Sequence, residues 1–258
     1  MQVQIENQLF IVCGATSGFG LSTLETLVEN GAKVIAVARG REKLDKLRTQ
    51  HPLQVEYICG DITHPDTQVK LTEQINDRKL SGILINAGGP PALKFMETQK
   101  EDWDQAYRNL LRWKVALVKT LVPLMEKEKY GRFVFIESSA VKQPIPNLVL
   151  STSLRLAVVG FVKTVSQEMA QSGITFNILA PGYHETPAIN RLLDKKAEQE
   201  RITPDLAKNK ITQTLPMGRM GNPDDLGKLA VWLLSPNSGY ITGQTISIDG
   251  GQILGVFG

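Results

Sequence analysis

The 258-residue chain predicts a single-domain α/β protein built on one doubly wound parallel sheet of about seven strands. Three observations carry the prediction. Short apolar runs alternate with helical patterns from one end to the other. A glycine-rich turn joins the first run to the first helix. No repeat, low-complexity tract or charge block divides the chain, so residues 1–258 read as one unit, a size at which α/β domains often stay undivided.

The strands are expected at 9–13, 34–38, 55–58, 83–85, 133–136, 176–179 and 245–248. Each is short, and several are rich in Val and Ile, as parallel strands covered on both faces should be. Helical patterns lie between them at 21–29, 42–48, 66–78, 102–128, 154–171 and 224–234. The helix at 154–171 carries a stripe of Leu154, Val158, Phe161, Val162, Val165 and Met169. Leu156, Ala157, Val159 and Gly160 widen that stripe beyond one amphipathic face, so one side should cover the sheet and the other meet a second subunit. Residues 185–210 break the rhythm. They are polar, helical and bracketed by Pro181-Gly182 and Pro216, and they read as a lid-like insertion above the C-terminal edge of the sheet, where ligands of such sheets bind. A solvated connector is the plainer alternative.

With 29 basic and 26 acidic residues, the net charge of +3 is too small to mark a nucleic-acid or membrane surface. No apolar run approaches 18 residues, so no membrane span is expected. The first ten residues lack a basic segment followed by an apolar one, which points to a cytoplasmic location. Cys13 and Cys59 fall in the first and third strands. Two strand spacings put them about 9–10 Å apart, beyond disulfide reach, so two free, buried thiols are expected. No metal site is expected.

The first strand runs into Gly14-Ala15-Thr16-Ser17-Gly18-Phe19-Gly20 and then a helix. Glycines let the backbone turn tightly and approach a pyrophosphate, and the helix N-terminus offers it free N–H groups. At the end of the second strand, Ala38-Arg39-Gly40-Arg41 has no carboxylate for a ribose 2′-hydroxyl. Its two guanidinium groups suit a 2′-phosphate. NADP(H) is therefore expected over NAD(H).

These residues resemble the classical short-chain dehydrogenase/reductase family. The loop is similar to that family's G-x-x-x-G-x-G motif, with Cys13 where Thr usually precedes it. Asn86-Ala87-Gly88 resembles its N-A-G motif. Asp61, followed by Ile62, matches the acidic position at the adenine. Pro181-Gly182 and Thr186 match the segment at the nicotinamide end. Gly218-Arg219, Pro223-Asp224-Asp225, Tyr240-Ile241-Thr242-Gly243-Gln244 and Asp249-Gly250-Gly251 extend the resemblance over the whole chain. The resemblance implies a homodimer or homotetramer formed through the helices at 102–128 and 154–171.

It also implies a catalytic Asn, Ser, Tyr and Lys, and here the chain departs from the family. Asn109 fits the Asn. Ser138 or Ser139 fits the Ser, and Ser138 is favoured because Ser151 lies 13 residues beyond it. No tyrosine has a Lys four residues later. Aligning Val158-Val159-Gly160-Phe161 with the family helix puts Ser151 at the Tyr position and Arg155 at the Lys position. This resembles a divergent, β-ketoacyl-carrier-protein-reductase-like subgroup in which Ser and Arg replace Tyr and Lys.

A phenol has a reference pKa of about 10 that a nearby cation can lower. An aliphatic hydroxyl is a far weaker acid, and a guanidinium is not a titrating relay. Losing the general acid costs about 10²–10⁴ in rate, while positioning a carbonyl beside a hydride can supply a comparable factor. Tyr183 and His184 are the nearest substitutes in sequence, with pocket wall or surface as the plainer role for each. Leu93, Phe95, Tyr183, Ile189 and Leu192 suggest a partly apolar substrate pocket. The leading expectation is an NADP(H)-dependent oxidoreductase on a small carbonyl/alcohol pair. The alternatives are a non-catalytic cofactor-binding sensor or scaffold and, much less supported, a nucleic-acid-binding protein.

Overall fold

A computed structural model describes residues 3–256. Seven parallel strands form one sheet: β1 (Leu9–Cys13), β2 (Lys33–Ala38), β3 (Val55–Cys59), β4 (Leu80–Ile85), β5 (Gly131–Ile136), β6 (Ile174–Pro181) and β7 (Thr245–Ile248), in the order β3-β2-β1-β4-β5-β6-β7. The order reverses between β1 and β4, which opens a crevice at their C-terminal ends.

Side chains alternate across the strands, and each face carries its own core. Phe10 and Val12 of β1 point to the face covered by α1 (Gly18–Glu29), α2 (Arg41–Gln50) and α9 (Pro223–Leu234). Ile11 and Cys13 point to the face covered by α3 (Pro65–Ile75), α5 (Trp113–Glu126) and α6 (Val149–Glu168). Phe133 and Phe176 stack on that second face with centroids 4.6 Å apart.

Three departures from the sequence reading concern the site. The helix expected over 102–128 is interrupted: α4 (Lys100–Tyr107) passes through a π turn (Arg108–Arg112) before α5. One wide turn frees backbone groups, and such turns concentrate at functional positions; this one carries Asn109. Second, residues 185–210, read as a polar, helical insertion, carry an apolar core that the sequence reading did not name. They form α7 (Pro187–Glu200) and most of α8 (Pro204–Thr212), which bury Leu193, Ala197, Ala207 and Ile211 in a core of their own with Leu215 and Met220. Third, only Cys13 is a buried thiol. Cys59 is half-buried, and its Sγ donates to the Arg39 carbonyl at 3.4 Å, because β3 is the edge strand.

α6 begins at Val149, earlier than expected. It is 20 residues long, and an 18-residue stretch of it has a mean hydropathy of 1.4, the length and composition to cross a membrane, which the run-length reading did not anticipate. In this fold Val158 and Val162 are buried in the core, while Leu156, Ala157 and Gly160 face solvent in the single chain.

Candidate active site

The C-terminal ends of the strands surround a cleft of about 950 Å³. It is lined by Gly14, Thr16, Ser17, Gly18 and Phe19, by Arg39 and Lys43, by Asp61 and Ile62, by Asn86, Ala87, Gly88 and Gly89, and by Asn109, Glu137, Arg155, Thr186 and Arg191. Sequence reasoning named most of these, from motifs scattered over more than 170 positions.

The glycine loop is shaped by two positive backbone angles, φ +67° at Gly14 and +52° at Gly18, a region other residues enter at a cost. Gly20 lies outside the cleft lining, behind the loop. A Cβ there would fall 2.2 Å from the Gly14 carbonyl oxygen, so Gly20 allows α1 to press against the loop. A Cβ on Gly14 would meet Asn86 Nδ2 at 2.8 Å, and one on Gly18 would meet Thr186 Cγ2 at 3.2 Å. The three motifs thus converge on one spot.

The N-cap of α1, Ser17, makes no side-chain cap bond, and no acidic residue sits in the first turn. The first N–H groups are therefore left for an anion in the cleft. Burial pushes the Cys13 thiol up to about 12, against a bond with the Asn86 backbone. Cys13 is fully buried and does not line the cleft.

At the far end of the cleft, β2 ends without a carboxylate. Arg39 is exposed, 3.9 Å from Asp61 Oδ2, and Asp61 Oδ1 accepts from the Thr63 N–H at 3.0 Å and the Thr63 hydroxyl at 2.8 Å. Arg41 is exposed and does not line the cleft; its charge lies near Tyr57. Lys43, half a turn further along α2, does line it. Lys43 sits in a charged run, Arg41-Glu42-Lys43, that gives no sequence-level reason to prefer it.

At the near end, Asn109 Oδ1 accepts from Gln105 Nε2 at 2.8 Å, and its carbonyl accepts from the Trp113 indole N–H at 2.8 Å. Arg155 lies one turn beyond Ser151 on α6 and is 7% exposed. Its Nε donates to Ser151 Oγ at 3.2 Å, and its Nη1 donates to Glu137 Oε2 at 2.7 Å and to the Ile136 carbonyl at 3.4 Å. Ser151 is buried beneath Arg155, outside the cleft lining. Ser138 is half-buried and caps a short 3₁₀ turn, its Oγ accepting the Ala140 N–H at 3.1 Å; it too stands outside the lining, next in chain to Glu137. Ser139 is buried.

Sequence reasoning missed Glu137 and Lys114. Both are buried, and Lys114 Nζ donates to Glu137 Oε1 at 2.5 Å. A Glu closing the apolar strand Phe133-Val134-Phe135-Ile136 was the available signal.

Pro181 and Gly182 serve the cleft indirectly. A Cβ on Gly182 would lie 2.8 Å from Asp249 Cβ, so the turn packs on the C-terminal segment and delivers Thr186 to the cleft. Thr186 caps α7 by accepting the Ile189 N–H at 3.4 Å. Neither proposed substitute acid reaches the lining. Tyr183 packs into the α7–α8 core. His184 is buried against Phe19, with ring centroids 5.1 Å apart, and Nδ1 lies 3.2 Å from the Gly182 carbonyl. Burial holds the His184 imidazole below the usual histidine value, against the pull of that carbonyl.

Of the apolar residues expected around a substrate, Ile189 lines an adjoining pocket of about 310 Å³ that shares Thr186 and Pro187 with the cleft, and Phe95 and Leu192 are exposed. Leu93 forms a bridge to Leu148 instead.

Residues 14–252 match the family model described as enoyl-(acyl carrier protein) reductase. The chain is 28% identical over 257 residues to the 3-oxoacyl-(acyl-carrier-protein) reductase FabG of Thermotoga maritima, covering 98% of this chain and 100% of that protein. It is 29% identical over 255 residues to the dehydrogenase/reductase SDR family member 4 of Sus scrofa, covering 96% and 88%. Among solved structures, L-sorbose reductase from Gluconobacter frateurii, complexed with NADPH and L-sorbose, superposes with a TM-score of 0.93 at 23% identity over 99% of this chain and 100% of that one. A variant of actinorhodin polyketide ketoreductase with NADPH gives 0.90 at 26% identity over 96% and 98%.

Proposed function

The chain belongs to the short-chain dehydrogenase/reductase family of oxidoreductases, and from that premise we propose that it is an NADP(H)-dependent oxidoreductase acting on a small carbonyl/alcohol pair through an atypical active site. The observation that carries this reading is the cleft itself: an uncapped helix N-terminus and glycine loop in its middle, Arg39 and Lys43 with no carboxylate at the end of β2 on one side, and Asn109 and Arg155 on the other. The names of two relatives, a ketoreductase and a sorbose reductase with NADPH, support it.

In this reading the backbone of Gly14 to Phe19 holds the pyrophosphate. Arg39 and Lys43 hold the 2′-phosphate, with Asp61 and Ile62 beside the adenine. Asn86, Ala87 and Gly88 border the middle of the cofactor, and Thr186 meets the carboxamide end. When bound, the cofactor supplies or accepts a hydride. Arg155 holds the nicotinamide ribose, Ser138, whose hydroxyl proton is free to donate while its Oγ accepts the Ala140 N–H, orients the carbonyl oxygen, and Asn109 supports a water. Ser151 accepts from Arg155 and shapes the site; water is the proton source. The α7–α8 pair acts as a lid over the substrate. The exposed apolar strip of α6, with Leu156 44% exposed, packs against a second subunit in a dimer or tetramer. The protein works in the cytoplasm.

A second reading is a cofactor-binding sensor or scaffold. One observation favours it: the hydroxyl at the usual acid's position is buried under Arg155. Titration of NADPH and NADH, followed by cofactor oxidation with ketones, β-ketoacyl esters and aldehydes, separates the two. Selective NADPH binding with turnover supports the enzyme. Binding without turnover over the whole panel supports the sensor.

A further inference from the structure

The nicotinamide end of the cleft rests on three buried charges from three elements. Lys114 comes from α5, Glu137 from the end of β5 and Arg155 from α6. The Glu137 side chain is fully buried, Lys114 is 2% exposed and the Arg155 side chain 9%. Glu137 bridges the two cations, Oε1 to Lys114 Nζ at 2.5 Å and Oε2 to Arg155 Nη1 at 2.7 Å. Its own backbone is pinned by the Glu137 N–H donating to the Leu179 carbonyl at 2.9 Å.

Buried charges are retained only where they are paired and hydrogen-bonded. Two cations and one carboxylate leave a single net positive charge. Burial pulls the Lys114 ammonium below the usual lysine range, and Arg155 adds to that, while Glu137 opposes it. The bonds decide which way Arg155 points. Ser151 takes Nε, and Glu137 and the Ile136 carbonyl take Nη1. The remaining group, Nη2, faces the Gly89 backbone, where a Cβ would approach to 3.4 Å, and both residues line the cleft. A free arginine side chain would have several rotamers available; this one is held by its back edge and presents its front edge.

We infer that Glu137 is a positioning residue: it clamps Arg155 so that the Nη2 edge faces the nicotinamide half of the cleft, and Lys114 is the counter-cation that makes this carboxylate tolerable in the core. The inference rests on the cofactor reading above. Arg155 then presents its planar guanidinium to the cleft in one fixed orientation. The clamp accounts for the pairing of Ser151 with Arg155, since the small hydroxyl serves as the second tether.

The test separates the two halves of the cofactor. Lys114→Met/Glu137→Leu keeps the net charge at one and removes the acceptor that clamps Arg155. Binding of NADPH and of adenosine 2′,5′-bisphosphate, which lacks the nicotinamide ribose, is measured by calorimetry alongside melting temperature. The expected result is a cooperative fold with a lowered melting temperature, because buried Arg155 loses its counter-charge, NADPH binding weakened about 10-fold, the size of a lost charge-assisted contact, and unchanged bisphosphate binding. A purely structural role for the triad would weaken both ligands together, and equal NADPH binding in parent and variant would show that Arg155 needs no clamp; either overturns the inference. If the parent binds neither probe, the cofactor reading falls and takes the clamp with it. Should the double variant fail to fold, Glu137→Asp keeps all three charges and shortens the clamp by one methylene. The same selective loss of NADPH is then expected, and unchanged or non-selective binding overturns the proposal.

Discussion

The two ends of the cleft are built by opposite means. The adenosine end is made of backbone and exposed side chains: a glycine loop with two positive φ angles, an uncapped helix, and Arg39 with its side chain 82% exposed. The nicotinamide end is made of side chains sealed in the core, Lys114, Glu137 and Arg155, none more than 9% exposed. The first end can lose a residue and lose only a ligand contact. The second cannot lose one without exposing the fold to an unpaired charge. Ligand binding and stability are therefore separable at one end and fused at the other.

The largest expected effect tests the fused end. Glu137→Gln alone leaves two buried cations adjacent to each other, and removing one partner of a buried ion pair costs about 3–5 kcal/mol. A fall in melting temperature of about 10 °C is expected in thermal unfolding. A loss of less than about 1 kcal/mol would mean that water already reaches the triad, and the contrast between the ends would fail.

Next comes Gly20→Ala at the adenosine end. The added methyl would meet the Gly14 carbonyl carbon at 2.6 Å and its oxygen closer still, both backbone atoms that cannot swing aside. Overpacking of this kind costs about 1–3 kcal/mol, and the displaced loop should also abolish NADPH binding in a fluorescence titration. In the glycine loop ligand and stability are joined at that end too, and at Gly20 the reason is backbone contact. Retained binding with normal stability would mean that the loop relaxes freely.

The same contrast explains what could be read from the chain. Gly14, Gly18, Asn86 and Thr186 were legible because each is a local requirement: a turn, a close approach, a cap. All seven strands were found because parallel strands buried on both faces are runs of apolar residues; only their ends differ, as with β6, which extends to Ile174–Pro181. Lys114 was invisible because a lysine in a helix reads as a solvent-facing position. What makes it internal is a carboxylate 23 residues away on another element. The π turn at Arg108–Arg112 was missed because one extra residue in a helical turn does not disturb the apolar pattern over the short window around it. Lys43 in place of Arg41 is a question of which side of α2 faces the cleft, and a charged run such as Arg41-Glu42-Lys43 carries no phase.

Arg39→Ala with Lys43→Ala should weaken NADPH about 10-fold, the loss of roughly one charge-assisted contact after solvent screening. NADH binding and melting temperature should stay unchanged, since both side chains are exposed. Equal weakening of both cofactors in parallel titrations would assign these cations to the pyrophosphate instead and remove the basis for NADP(H) preference.

The smallest effect lies at the seam between the two ends. His184 packs edge-on against Phe19 of the glycine loop, and its Nδ1 lies 3.2 Å from the carbonyl of Gly182, in the turn that delivers Thr186. Burial lowers its pKa from 6.5, opposed by the Gly182 carbonyl and by the charges of Asp225 and Asp249, with Arg219 adding to the lowering. The unfolded chain therefore takes up a proton near pH 6.5 that the folded chain resists. More protons on the unfolded state means that stability falls as pH drops below about 6.5, and it stops falling once the folded pKa is passed. His184→Gln removes the titrating group while keeping a polar side chain of similar reach. Its melting temperature should depend less steeply on pH between about 6.5 and 5 than that of the parent, with the two profiles parallel above pH 7. Parallel profiles throughout would mean that the imidazole is hydrated in the folded protein, and that the seam between the ends is wet.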